Sequence, residues 1–149
     1  MKKMIMFMLT LSLAAVFLIG CSKNEEIHYE YKGESESWTA IYVVDATYTV
    51  KKVDNKNKYD GKESTILTLT YKGDVAELSD IKHLQYSFKS IIGSGFSEVV
   101  FDVPPKEKVF IHKSQGGSIH TFEMADETVE VSVDLDGVIE TFDLVIVQD

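Results

Sequence analysis

Cysteine is almost missing from this chain: Cys21 is the only one among 149 residues. No intramolecular disulfide can form, so a folded domain here must rest on its core, and the length suffices for one domain with such a core. Proline is nearly as scarce. The two that occur are the adjacent Pro104 and Pro105, a break that a central strand does not contain. A phosphate-cradling G-x-x-x-x-G-K-[ST] loop is absent. So is the strained G-x-S-x-G turn of serine hydrolases, since Gly93-Ser94-Gly95 has the wrong spacing and reads as a loop. The four histidines, His28, His83, His112 and His120, are scattered and none forms an H-x-x-x-H pair. Ser118 and His120 share a face of an expected strand, but no acid is evidently placed to orient the imidazole. We therefore expect no enzyme and no cofactor.

What is present begins with the first 20 residues. Lys2 and Lys3 precede a stretch from Met4 to Gly20 that is apolar or small, with Thr10 and Ser12 its only hydroxyls. A charged start followed by an apolar run is the pattern of an export signal. A helix of that length also comes close to spanning a bilayer, so an uncleaved anchor is the alternative. The residues ending the run, Leu18-Ile19-Gly20-Cys21, resemble the bacterial lipobox. That resemblance implies a diacylglyceryl group on the Cys21 sulfur and cleavage between Gly20 and Cys21. It also accounts for a lone cysteine and, with the thiol occupied, excludes a thiolate zinc site. Each buried methylene contributes about 0.8 kcal/mol, and two acyl chains make a stable anchor where one does not. The expected partner at this end is the membrane, and the expected address is the extracytoplasmic face of the cell membrane. Ser22 after the cysteine is compatible with sorting onward if the host has an outer membrane.

The charge is one-sided, with 15 basic against 24 acidic residues and a net −9. Without Lys2 and Lys3 the balance becomes −11. Such a surface repels nucleic acid and anionic headgroups, so no nucleic-acid partner is expected. No polybasic patch is evident along the chain. Residues 21–33 are mostly polar and read as the lipidated cysteine and a tether, spanning roughly 20 Å if flexible. The alternation of Ile27, Tyr29 and Tyr31 leaves an edge strand as the other reading of that segment.

Residues 34–149 read as the domain proper. Trp38, Ala40, Tyr42, Val44, Ala46, Tyr48 and Val50 alternate with mostly polar neighbours, although Ile41 and Val43 break the polarity of the second face. Lys51 to Lys62 reads as a polar loop with a turn at Asp60-Gly61. Further alternations run over Leu67–Tyr71, Leu84–Phe88, Val99–Val103, Val109–Ile111, Gly116–Met124, Val129–Leu135 and Phe142–Ile146. Asp136-Gly137 is a hairpin signal between the last two. Val75 to Leu84 is the one, weak, helical candidate. The pattern predicts an all-β fold, an antiparallel β-sandwich of seven to eight strands, immunoglobulin-like but without its inter-sheet disulfide.

One motif merits a test as a cation site. With Gly137 at the sixth position of an EF-hand loop, Ser132, Asp134, Asp136 and Asp143 fall at the first, third, fifth and twelfth. The flanks alternate as strands instead of helices, and a hairpin turn explains the same Asp-Gly more simply. Whether Asp134, Asp136 and Asp143 hold a cation is left to their geometry.

The Glu36-Ser37-Trp38 strand start, the segment Thr68 to Gly73 (TLTYKG) and the closing Glu140 to Leu144 (ETFDL) resemble small lipoproteins of Gram-positive, Bacillus-type bacteria. The resemblance implies a lipid-anchored, β-rich domain and supplies no catalytic residues. The expected role is a binding or interaction module for a protein or small ligand. The alternative is an accessory subunit docking on a membrane or cell-envelope complex, and a lesser one is an enzyme whose site is assembled from distant residues.

Overall fold

The computed structural model describes residues 23–53, 56–91, 93–116 and 127–147. Eight strands follow in order: β1 (Lys23–Glu34), β2 (Trp38–Val53), β3 (Lys56–Tyr71), β4 (His83–Lys89), β5 (Ser94–Val100), β6 (Val109–Gly116), β7 (Val129–Leu135) and β8 (Val138–Ile146). All ladders are antiparallel, in the spatial order β5-β4-β7-β8-β1-β2-β3-β6. The all-β, antiparallel, eight-stranded expectation holds. The strands make one hydrogen-bonded series that nearly closes, whereas an immunoglobulin sandwich divides its strands between two separate sheets.

Two four-stranded halves face each other. β8 joins them, pairing with β7 along Val138–Leu144 and with β1 only at Tyr31↔Ile146 and Lys32↔Val145. The crossover is tight: a Cβ on Gly33 would collide with the Asp143 carbonyl oxygen and crowd Leu144. Glycine is therefore needed there for close approach, not for backbone freedom. On the other side the edges β5 and β6 meet through side chains. Ser97 Oγ and His112 Nδ1 lie 2.8 Å apart, and the Phe101 and Phe110 rings are 6.2 Å apart.

The core sits between the halves. Trp38, Tyr31, Tyr42, Leu67, Leu69, Leu84, Val129, Val131, Val133 and Leu144 are all essentially inaccessible. These are the inward positions of period-2 strands, so alternation in the chain becomes a filled interior. Tyr42 of β2 and Phe88 of β4 meet across it with ring centroids 5.0 Å apart. Trp38 packs edge-on to Tyr71 at 5.2 Å.

Four sequence expectations need correcting. Gly93-Ser94-Gly95 is not a loop ahead of a strand at Val99–Val103: Ser94 and Gly95 open β5 opposite Lys89 and Phe88, and the strand ends at Val100. Residues 23–33, read as a tether, are in β1, and β1 lies inside the sheet between β2 and β8 instead of at an edge. Its polar residues alternate with Ile27, Tyr29 and Tyr31, and Tyr31 is fully buried. Residues 51–53 and 56–62 are in β2 and β3, not in a loop turning at Asp60-Gly61. The β2–β3 ladder runs on to Val53↔Lys56, with Gly61 opposite Tyr48 in mid-strand. Cross-strand register outweighs the polar composition that suggested a loop. The helical candidate yields only a short 3₁₀ turn, Val75–Leu78, started by an Asp74/Glu77 capping box, before β4 begins at His83. The expected strand Gly116–Met124 lies beyond Gly116 outside the described residues. The hairpin at Asp136-Gly137 is present, with φ of 48° and 90° as a type I′ turn requires.

Candidate functional site

Gly20 and Cys21, the expected cleavage and lipidation residues, lie outside the described residues, as do Ser118 and His120. β1 starts at Lys23, two residues after Cys21.

The remaining histidines do not converge. His28 of β1 pairs with Asp45 of β2 at 2.6 Å, both on the outer surface. His83 of β4 pairs with Glu98 of β5 at 2.7 Å on the outer face of the other half. Hydrogen bonds from His83 and then Gln85 hold the exposed Glu98 carboxyl below the usual range. His112 points inward at the β5–β6 seam, where it meets Ser97 and lies edge-on to Phe88 with centroids 5.5 Å apart. A side chain on Gly95 would occupy the space of the Phe88 ring and of His112 Nε2, so the seam is already full. The Ser97–His112 pair closes the sheet where no ladder does.

The three aspartates are likewise kept apart. The Asp136 carboxylate accepts hydrogen bonds from the Lys82 and His83 amides, at 3.0 and 2.7 Å. Asp134 accepts from the Gly137 amide at 2.7 Å. Asp143 pairs with Glu130 four positions along β8 from Ile139, the partner of Asp134, or about 13 Å away. Asp134 and Asp136 thus build the turn and anchor it to the start of β4. Among the described residues no group of three or more His, Cys, Asp or Glu is gathered for a metal ion.

Two other polar contacts fix corners of the fold, one joining β8 to the β1–β2 connection and one joining β3 to the 3₁₀ turn after it. Burial pushes the Glu140 carboxyl up, but hydrogen bonds from the Ser35–Ser37 corner, including the Ser37 amide at 3.0 Å, outweigh it and hold the group below its ordinary range. Tyr71 Oη donates to Glu77 at 3.0 Å, and that bond, with burial and the charges of Glu77 and Glu140, raises the phenol. Both are corner contacts at the end of the molecule where β2 begins.

The clefts are open, and one of about 460 Å³ is lined by Asp74, Val75, Lys106, Glu107, Lys108 and Val109. One of about 290 Å³ is lined by Asp45, Thr47, Lys62, Glu63, Ser64 and Gln115, and one of about 180 Å³ lies over Gln85, Ser87 and Ser132 between Phe96 and Ile139.

The outer faces of the two halves differ. That of β5-β4-β7-β8 carries Gln85, Ser87, Ser132, Thr141 and the His83–Glu98 pair between strands, with the exposed Phe96, Val100, Ile139 and Val145 confined to the flanking strands β5 and β8. That of β2-β3-β6 is apolar in its middle. Ile41, Thr68 and Ile111 form one cross-strand row, and Val43, Ile66 and Lys113 form the next. Val109 continues the β6 column and, like Ile111 at 52%, is exposed. The inward positions on these strands are the core residues Tyr42, Val44, Leu67 and Leu69, so the Ile and Val side chains point away from the interior. Five β-branched side chains side by side on an outward face form a contiguous apolar strip, the kind of surface that marks an interaction site. The sequence signals half of it, through Ile41 and Val43 on the otherwise polar face of β2. Ile66, Val109 and Ile111 join only through strand pairing.

The fold and this surface define a nearly closed, eight-stranded antiparallel β protein with one apolar outer face. Comparison with protein-family models, with curated proteins and with solved structures finds no match. Among the described residues no helix is long and apolar enough to cross a membrane.

Proposed function

We propose that this chain is a lipid-anchored, extracytoplasmic interaction module: a diacylglyceryl group on Cys21 holds it to the cell membrane, and the outer face of β2-β3-β6 engages its partner. The observation that carries the interaction half is the strip of Ile41, Val43, Ile66, Val109 and Ile111 on an outward sheet face. Burying such side chains against a partner recovers about 25 cal/mol per Å² of apolar surface, which their exposure forgoes. The anchoring half is supported by the Leu18-Ile19-Gly20-Cys21 motif behind an apolar run. With β1 beginning at Lys23, the lipid would hold the domain close to the bilayer with almost no intervening chain.

The same strip favours a protein as partner over a small molecule, because it is broad and open and spread over three strands. An accessory subunit on a membrane complex is the form this would take. A photo-cross-linker at Thr68, in the centre of the strip, tests it against one at Thr141 on the polar outer face. A single stoichiometric protein adduct from Thr68 and none from Thr141, abolished by Ile66→Lys, is the expected result. Absence of any adduct from either position would sink the docking reading. Independently, Cys21→Ala should release the protein from membranes and shift the mass of its mature N-terminus, and continued membrane retention with unchanged processing would defeat the anchor.

A further inference from the structure

The chain is acidic as a whole, yet its lysines are not evenly spread. Among the described residues, β2 and β3 run with β1 past the other strands. β6 pairs with β3 only over Glu63–Thr70, and β8 pairs with β1 only at Tyr31 and Lys32. Among the described residues, Lys23–Tyr29 of β1, Ala46–Val53 of β2 and Lys56–Lys62 of β3 therefore form a three-stranded extension with no further strand on either side. From Ala46 to Val53 it reaches about 23 Å.

The segments 23–29 and 46–62 hold six lysines against four acids, a net +2, while the rest of the chain from Cys21 onward carries −13. Register concentrates the positive charge further. Lys51 stands directly opposite Lys58, with Lys62 four residues along β3 on the same face. All three are exposed. Asp60, between Lys58 and Lys62, lies 4.0 Å from Lys51 and is itself largely in solvent, and Glu26 of β1 shares the face one strand beyond Lys62, across Thr47. Lys52 and Lys56 occupy the last register positions of the ladder, and Lys23 opens β1 opposite Val50. Like charges directly across a ladder oppose each other, a cost that an anionic surface removes. Tyr48 and Val50 on the reverse face are only partly buried, and tyrosine beside lysine suits a membrane–water boundary.

We propose that this lysine-bearing end of the β2–β3 hairpin is the surface the domain lays against the anionic phospholipid headgroups of its membrane. The inference rests on the lipid-anchor reading, and it adds an orientation to it. Lys23 is two residues from Cys21, and antiparallel pairing brings the end of β2 and the start of β3 to that same end of the molecule. The acidic remainder is directed away from the bilayer, so the two parts of the charge distribution act in the same sense. The apolar strip on β2-β3-β6 then stands side-on to the membrane, accessible to a membrane-bound partner.

The test uses the mature lipidated protein, purified from membranes and reconstituted in vesicles. Because Cys21 is the only cysteine and is acylated, a second one takes a fluorophore uniquely. Asp60→Cys labels the hairpin and Val103→Cys labels the opposite end, beyond the Thr70↔Val109 pair. A headgroup-level quencher in phosphatidylglycerol–phosphatidylcholine vesicles should quench the label at position 60 severalfold more than that at 103. The difference should shrink in pure phosphatidylcholine, at high salt, and in the triple variant Lys51→Glu, Lys58→Glu, Lys62→Glu. Equal quenching at the two positions, or a difference indifferent to lipid charge and salt, while the protein remains on the vesicles, overturns the orientation and leaves the anchor standing. Failure of the purified protein to stay with any vesicle, together with an unacylated N-terminal mass, overturns the anchor and the orientation with it.

Discussion

The two ends of the long β2–β3 hairpin obey different rules. Near Trp38 and Tyr71 the ladder is backed by a second layer, and alternation translates into complete burial: Ala40, Tyr42 and Val44 are each no more than 2% exposed. Beyond Ala46 the same alternation continues through Tyr48 and Val50, but these residues are only partly covered. Strand formation itself is uninterrupted from Trp38 to Val53. Backbone pairing and core burial are thus separable, and a strand can outrun its core when register and neighbours on both sides sustain it.

Four substitutions sharpen or break this contrast. Trp38→Ala should be the most damaging, costing about 3–5 kcal/mol, because it removes a fully buried ring packed on Tyr71 and Phe110. Urea denaturation measures it, and a loss below about 1 kcal/mol would mean that end is not the packed one. Asp136→Ala should cost about 2 kcal/mol, since it orphans the Lys82 and His83 amides and places alanine at positive φ. The same urea midpoint, with Asp136→Asn as a partial rescue, checks it.

Glu140 gives a smaller effect with a defined sign. Its folded-state pKa is lowered, so its contribution is fully present above the ordinary glutamate range and is lost as pH falls through the folded value. Glu140→Gln should therefore cost about 1 kcal/mol at neutral pH and converge on the unsubstituted protein as pH falls below the ordinary glutamate range. Parallel curves at all pH values would refute that account. Val50→Ala, in the extension, should be the mildest, at or below about 1 kcal/mol by thermal unfolding. A cost rivalling that of Trp38→Ala would abolish the distinction between the two ends.

Much of the fold was legible because one face of each strand is buried. The alternations at Trp38–Ala46, Leu84–Phe88 and Val129–Leu135 are core rows, and Asp136-Gly137 is the turn its dipeptide announces. What misled were segments where polar composition stood in for conformation. Residues 23–33 and 51–62 carry enough Lys, Glu and Asn to read as tether and loop, yet 23–33, 51–53 and 56–62 are in strands. Their hydrogen bonds are supplied by neighbours distant in sequence, and that is invisible in a local window. The candidate surface was half visible, since Ile41 and Val43 stand out on β2, whereas Ile66, Val109 and Ile111 belong to it only by ladder register.

The amino-acid sequence by itself determined that this is a disulfide-free, acidic, antiparallel β protein and where its closing hairpin turns, because period-2 patterning and turn chemistry are local properties. Only the tertiary structure decided that β1 is interior to the sheet, that β5 and β6 meet through Ser97 and His112, and that lysines from three segments share one end. Each of these depends on which strands lie side by side, a choice made by packing the whole core and not by any single stretch of chain.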